Sequence, residues 1–335
     1  MNTGTSEKAI TAFYFINYNR SDLVSVLKNF SDSSDVICLD LEDSIQDLRH
    51  PLNNSSLKNS ARNFIRKIFS GLRPLNVNFG IRINSYHSKE FILDIKLLSE
   101  SFLKEKIKSI LIPKVESVEE VELIINSLEK TGVNAAEIIP VIETKKGFKN
   151  LESIVNLNNL RLRRIAFGHC DFNIDNNFFP FFHQNSRQYW EWVKEFTSII
   201  ESAGMQFINS PFLKLQDDYS FQSMLSKLFT HCSSDFGQIT LTNRQTQLCK
   251  KFQPDYKQLN GYRKQLNENE CEIYAKELVN DFESYNEGKG FTISNKRTLI
   301  SPQEYTSARK FIMNKALKLT IAGGCFTAQS NIPKE

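Results

Sequence analysis

The chain has no Cys-x-x-Cys pair, no apolar run long enough to cross a bilayer, no block of lysine and arginine, no internal repeat and no low-complexity tract. Each absence removes a class of function. Cys38, Cys170, Cys232, Cys249, Cys271 and Cys325 stand far apart, which argues against a zinc knuckle or a redox dithiol and for buried or incidental free thiols. A membrane-spanning helix needs about 20 consecutive apolar residues, and none occurs. The opening residues Met1–Lys8 lack the basic start and apolar stretch of a secretion signal, so a cytoplasmic protein with no membrane partner is expected. The 42 basic and 38 acidic residues are spread along the chain, and a net charge of +4 without a basic arm does not indicate nucleic-acid binding.

What is present suits a large globular protein. The 335 residues, 40% of them hydrophobic, can bury a sizeable core, and barrels of alternating strands and helices reach this length as one unit with appendages. Short β-branched or aromatic runs alternate with helical-period segments, the pattern of a parallel sheet built from βα units. Eight strands are predicted: Ala12–Ile16, Val36–Asp40, Val77–Ile83, Ser109–Pro113, Ile138–Ile142, Arg164–Phe167, Gln206–Asn209 and Gln238–Leu241. Helices are predicted at Asp22–Phe30, Leu57–Phe69, Glu90–Phe102, Val118–Lys130, Phe148–Leu157, Arg187–Ser202 and Tyr219–Phe229, with a shorter one after Asn243. The count favours an α/β fold of the closed (β/α)8 TIM-barrel type over an open doubly wound sheet. After Gln253 the rhythm breaks: Tyr256–Asn286 reads as one long charged helix, Phe291–Ser294 as a short strand, and Pro302–Lys318 as a final helix. The expected organisation is therefore a barrel over residues 1–252 and a C-terminal helical extension over 253–335, acting as a lid or an oligomer contact.

In a barrel the chemistry sits at the carboxyl ends of the strands. Here strand two ends in Asp40-Leu41-Glu42-Asp43, strand three in Arg82-Ile83-Asn84, strand four in Pro113-Lys114, strand five in Glu143-Thr144, and strand six in Gly168-His169-Cys170-Asp171. Any one of these could be a loop polar group or a helix cap. Together, carboxylates without a His or Cys cluster suit a hard, oxygen-seeking cation such as Mg2+, which keeps waters and takes one or two protein carboxylates; Glu143 and Asp171 are the candidates. Arg82 could fork onto a substrate carboxylate, the alternative being a rim ion pair with Asp40 or Glu42. His169 reads as a hydrogen-bonded loop histidine. The aromatic run Asn177–Phe182 either lines an apolar pocket or packs on the rim, and packing is the preferred reading.

In register, Asp40-Leu41-Glu42-Asp43-Ser44, Lys58-Asn59-Ser60-Ala61-Arg62, Arg82-Ile83-Asn84, Ile112-Pro113-Lys114-Val115-Glu116-Ser117, Ile142-Glu143-Thr144 and Phe167-Gly168-x-x-Asp171-Phe172 resemble the HpcH/HpaI aldolase and citrate lyase β-subunit superfamily. Phe15–Asp22 resembles that family's opening, and the resemblance covers most of residues 12 to 320. It implies a TIM barrel, commonly oligomeric, with Mg2+ (or Mn2+) on Glu143 and Asp171. It further implies a 2-oxo acid or related small carboxylate bound there, with Arg82, Asn84, Lys114, Asn17 and Arg20 as substrate-binding residues. Glu42 and Asp43 would order waters or take part in proton transfer alongside Arg82 as the catalytic group. The chain departs from the pattern after strand seven, where Asn209-Ser210-Pro211 replaces an Asp-Gly-Pro step. It departs again after strand eight, where the family's lysine and His-Pro are absent and Gln245 remains in register. Those departures bear on an acyl-CoA assignment more than on the metal.

The expected activity is a metal-dependent carbon–carbon lyase or aldolase working through a stabilised enolate. A CoA or acyl-carrier ester lyase or thioesterase is the alternative enzyme. A barrel that has lost catalysis and serves as a binding or assembly subunit is the reading from another class.

Overall fold

The computed structural model describes residues 8–17, 26–27, 30, 35–71, 76–133, 136–255, 261–286 and 290–324, with side chains as far as residue 317. Most of the predicted helix Asp22–Phe30, and Arg20 before it, lie outside the described residues.

Eight parallel strands close on themselves in chain order: β1 (Ile10–Ile16), β2 (Val36–Asp40), β3 (Asn78–Arg82), β4 (Ile107–Ile112), β5 (Glu137–Ile142), β6 (Arg164–Phe167), β7 (Gln206–Asn209) and β8 (Phe236–Thr240). The last joins the first, with Ala12 opposite Gln238 and Tyr14 opposite Thr240. The strands are nearly all apolar because both of their faces are covered. Alternate residues such as Phe13, Val36, Cys38, Leu111, Val141 and Ile239 fill the barrel interior. Their neighbours, including Tyr14, Ile37, Ile110, Ile138, Ile165 and Phe167, pack outward against the helices.

The surrounding helices follow from amphipathic period and good caps. They are α1 (Asn54–Gly71), α2 (Glu90–Leu98), α3 (Ser101–Lys104), α4 (Val118–Lys130), α5 (Lys145–Lys149), α6 (Leu151–Val155), α7 (His169–Asp175), α8 (Arg187–Ser202), α9 (Asp218–His231) and α10 (Asn243–Lys250). Ser117, Thr144, Ser186, Asp217 and Thr242 each accept a backbone N–H at a helix start. Two predicted helices are divided: Glu90–Phe102 breaks at Ser99–Glu100, and the Phe148–Leu157 segment starts at Lys145 and breaks at Asn150.

Beyond the barrel, α11 (Glu268–Tyr285) is shorter than the long helix expected over Tyr256–Asn286. Its start is set by Asn267, whose side chain accepts from Glu270 N while Glu270 returns a bond to the Asn267 N–H. Residues 261–267 are not helical, and 256–260 lie outside the described residues. A two-stranded hairpin, β9 (Thr292–Ile293) with β10 (Leu299–Ile300), leads into α12 (Pro302–Gly324). Ala275, Leu278, Phe282, Ile300 and Ala308 form a separate small core there, joined by Phe179 from the aromatic run after β6. Phe178 and Phe182 of that run pack on Trp192, so the run is packed on the rim.

Behind the end of β3 lies a buried ionic network. Arg62 of α1, 2% exposed, donates to Asp94 at 2.7 Å, to Glu90 at 2.7 Å and to Asn59 at 2.8 Å. Asp94 in turn accepts from the backbone and side-chain nitrogens of Asn84. Removing Arg62 would take the bridging cation from two buried carboxylates. Arg62→Ala is expected to cost about 3–5 kcal/mol in urea denaturation, whereas Leu52→Ala, at a residue 98% exposed, should leave the midpoint unchanged.

Candidate active site

Parallel register brings the ends of β2 and β3 side by side, and Asp40 is the strand partner of Arg82. The guanidinium therefore forks onto that carboxylate, with Nε at 2.7 Å from one oxygen and Nη2 at 2.6 Å from the other. Its remaining nitrogen, Nη1, lies 3.0 Å from Glu42 Oε2. Burial works to raise Asp40, but the Arg82 charge and hydrogen bonds outweigh it and hold the carboxyl below its ordinary range. Arg82 thus forms the rim ion pair that its sequence position allowed, and its donors face Asp40 and Glu42.

Lys114 follows β4 in the left-handed region, φ 56°. That conformation turns its backbone N–H onto Glu143 Oε1 at 2.9 Å and brings its ammonium into the rim. Nζ lies 2.7 Å from Glu42 Oε1, 3.5 Å from Asp171 Oδ1 and 3.7 Å from Asp43 Oδ1. Burial opposes the ammonium charge, yet Glu42, Asp43 and Asp171 prevail and hold the proton well above the usual lysine range.

Glu143 sits at the end of β5, 2% exposed. It can do so because residue 168 is glycine: a Cβ there would collide with the Glu143 carboxylate. Burial, then the Asp171 charge, push Glu143 well above the ordinary carboxyl range. Asp171 lies in the first turn of α7, one turn past β6. Burial and Asp43 push its carboxyl up to about 7. Burial and Asp43 likewise raise Glu42.

The rim thus gathers Asp40, Glu42, Asp43, Glu143 and Asp171 around two cations, Arg82 and Lys114. Sequence reasoning missed a member of this group. Gln303, from the first turn of α12, donates Nε2 to Asp43 Oδ2 and Asp171 Oδ2, each at 2.8 Å. Nothing in the local pattern of Ser301-Pro302-Gln303 marks it, since its partners are remote in sequence.

The other sequence candidates fall differently. Asn84 faces backwards: its amide nitrogen donates to Leu41 O and to Asp94, and its oxygen accepts from Lys58. Those bonds occupy its polar atoms, so the structure does not bring Asn84 among the converging acids. Asn17 ends β1 with a buried Oδ1 that has no partner among the described residues. Arg20 lies outside the described residues. His169 bonds His183 at 2.9 Å, and burial followed by His183 holds it well below the ordinary histidine range. His183 continues to Glu304 at 3.2 Å, which also accepts from Tyr274 at 2.7 Å.

A cavity of about 380 Å3 lies beside this relay, lined by His183, Phe212, Met224, Arg263, Tyr274 and Glu304 among others, and none of the five converging acids lines it. Among the described residues no group of three or more His, Cys, Asp or Glu side chains is arranged so that it could hold a metal ion. A cation here would rest on fewer protein ligands and keep waters, as Mg2+ does.

Residues 12–201 match the family model for HpcH/HpaI aldolase/citrate lyase. No curated protein sequence matches the chain. Among solved structures, a Haloferax volcanii malate synthase in ternary complex with pyruvate and acetyl-CoA superposes with TM-score 0.66 at 14% identity, over 91% of this chain and 90% of that one. CitE of Mycobacterium tuberculosis, in complex with magnesium and acetoacetate, gives TM-score 0.55 at 16% identity, over 72% and 90%. RipC of Yersinia pestis gives 0.54 at 20% identity, over 75% and 98%. At these identities the likeness is one of fold.

The acid cluster makes stability depend on pH. A carboxyl raised from 3.8 to about 7, as in Asp171, is protonated more readily in the folded chain than in the unfolded one. The contribution of this carboxyl to stability is then greatest below the unfolded value and is lost as pH rises from about 4 to about 7. With chelator present, the thermal midpoint of the wild type relative to that of Asp171→Asn should decline over that interval; a constant difference would assign the effect elsewhere.

Proposed function

The chain belongs to the HpcH/HpaI aldolase/citrate lyase family, and on that premise we propose that it is a Mg2+-dependent (or Mn2+-dependent) carbon–carbon lyase or aldolase acting on a small 2-oxo acid or related carboxylate. One observation carries the reading: five buried or nearly buried carboxylates converge on two cations at the rim. Such an excess of negative charge is costly in a low-dielectric site unless protons or a cation join it. Magnesium found in complexes of a structurally similar CitE supports the second choice. The donor set fits a hard cation, since it offers oxygens only, with Glu143 and Asp171 as its ligands. When bound, the cation would supply a concentrated positive charge that stabilises an enolate.

This chain's own residues do the rest. Lys114 provides positive potential beside the acids, and its tight protonation keeps it a fixed charge rather than a base. Arg82 keeps its fork on Asp40 through Nε and one Nη2 hydrogen, so the hydrogens of Nη1, beside Glu42, are those it can turn to a substrate carboxylate. Glu42, raised by burial and by Asp43, is the carboxyl best placed to hold or release a proton, next to Lys114 Nζ. Asp43 orients waters in this reading. Asn17, with its unsatisfied oxygen, remains a substrate-binding candidate, as does Arg20; the occupied amide of Asn84 makes it a support for β3.

We read residues 1–252 as the barrel unit and 253–335 as a lid or oligomer contact. Exposed Ile273, Met313 and Leu317 on α11 and α12 support a contact role in a homo-oligomer. No helix among the described residues is long and apolar enough to cross a membrane; a cytoplasmic location is part of the same proposal. A CoA or acyl-carrier thioester as the substrate form is the second reading, supported by the acetyl-CoA and CoA complexes of structurally similar proteins.

Thermal melts with Mg2+ or Mn2+, with and without oxalate or pyruvate, test this. Ligands of the folded state raise the midpoint by mass action. The native chain should shift with metal and further with oxalate, and Glu143→Ala and Asp171→Ala should not. No metal-dependent shift in the native chain would sink the metal reading, and a shift with CoA alone would favour the thioester reading.

A further inference from the structure

The first turn of α12 carries two neighbouring residues that serve two different places. Glu304 joins His183 and Tyr274 beside the cavity, whereas Gln303 enters the acid cluster. Gln303 is 9% exposed and ties together carboxylates from two separate loops, Asp43 after β2 and Asp171 in α7. Both of its amide hydrogens are thereby spent on Asp43 and Asp171. Its Oε1 is buried and has no donor among the described residues. A buried acceptor of this kind is available to a donor such as an ordered water.

We propose that Gln303 is a positioning residue for the cation site: its nitrogen fixes Asp171 and Asp43, its oxygen accepts from a water held by the cation, and docking of α12 is thereby coupled to cation binding. The inference rests on the reading of Asp171 as a cation ligand. The physical reason is the one that applies to metal sites generally, where carboxylate ligands are themselves held by hydrogen bonds, and loss of such a partner weakens affinity about 10- to 100-fold. A carboxylate oxygen has two lone pairs, so Oδ2 of Asp171 can accept from Gln303 and still face a cation. Without Gln303, Asp43 and Asp171 would share only the more distant Lys114 ammonium, and the first turn of α12 would lose one of its two polar anchors, keeping Glu304 on His183. Coupling of this kind is reciprocal: if docked α12 improves cation binding, the cation must stabilise docked α12.

The test uses the full chain with MnCl2 as probe. Free Mn2+ is read by electron paramagnetic resonance, and hydrogen exchange is followed in peptides spanning residues 302–317. Wild type, Gln303→Leu and Asp171→Asn are compared, leucine keeping bulk while removing both amide functions. Expected are Mn2+ affinity about tenfold weaker or worse in Gln303→Leu and added exchange protection in 302–317 of the wild type on Mn2+ binding. Affinity within twofold of wild type, or tighter, in Gln303→Leu overturns the inference. So does Mn2+ binding that leaves 302–317 of the wild type unprotected, a measurement that needs no variant to fold. If wild type binds Mn2+ and loses it in Asp171→Asn but not in Gln303→Leu, only the role of Gln303 fails. If wild type binds none, the metal reading fails and takes this inference with it.

Discussion

Unequal charge at the barrel rim is the constraint on which the rest of the site depends. Asp40, Glu42, Asp43, Glu143 and Asp171 come from three strand ends and share Arg82 and Lys114. A barrel can impose this because its strands run parallel and in register, so residues far apart in sequence arrive at one edge. The interior beneath is lined by apolar side chains such as Phe13, Leu111, Val141 and Ile239. Each cation is consequently committed to several acids; Glu42, Glu143 and Asp171 answer to burial first and to their neighbours second, whereas at Asp40 the Arg82 charge prevails. The small residue at 168 and the left-handed backbone at 114 are the local concessions that let Glu143 and Lys114 occupy their places.

Support for that rim comes from two directions. From outside the barrel, Arg62 and Lys58 of α1 hold Asp94 and Asn84, which fixes the chain just past Arg82. From above, α12 lays Gln303 across Asp43 and Asp171. The first support centres on the buried Arg62–Asp94 ion pair. The second is a neutral amide on a helix whose small core is separate from that of the barrel, and so it is the one able to respond to what occupies the rim.

Much of this was legible before any coordinates. The strands over Val36–Asp40, Arg164–Phe167 and Gln206–Asn209 coincide with their predicted limits, because β-branched runs bounded by polar turns leave little choice. Val118–Lys130 and Arg187–Ser202 also coincide, each announced by a serine cap. Strand ends pointed to acids and cations that the barrel brings together at one rim. Partners were harder to read. That Asn84 is consumed by Asp94 and Leu41, or that Arg82 gives two nitrogens to Asp40, depends on packing from α1 and on register. The helix expected from Tyr256 begins instead at Glu268, where a reciprocal cap decides the matter over a charged stretch without a clear apolar stripe. Gln303 was invisible because an amide in a helix's first turn has many uses, and its partners lie 260 and 132 residues away.

Those separations have a bearing on how the protein is made. Every acid of the rim has been synthesised by residue 171, and the barrel can close once β8 is complete at Thr240. The amide that bridges two of those acids leaves the ribosome more than sixty residues later. During translation the nascent barrel therefore carries its carboxylates with Arg82 and Lys114 between them but without the amide that joins Asp43 to Asp171. The final helix is in that sense a closing step of assembly, and a chain released before it would be a closed barrel with an unfinished mouth.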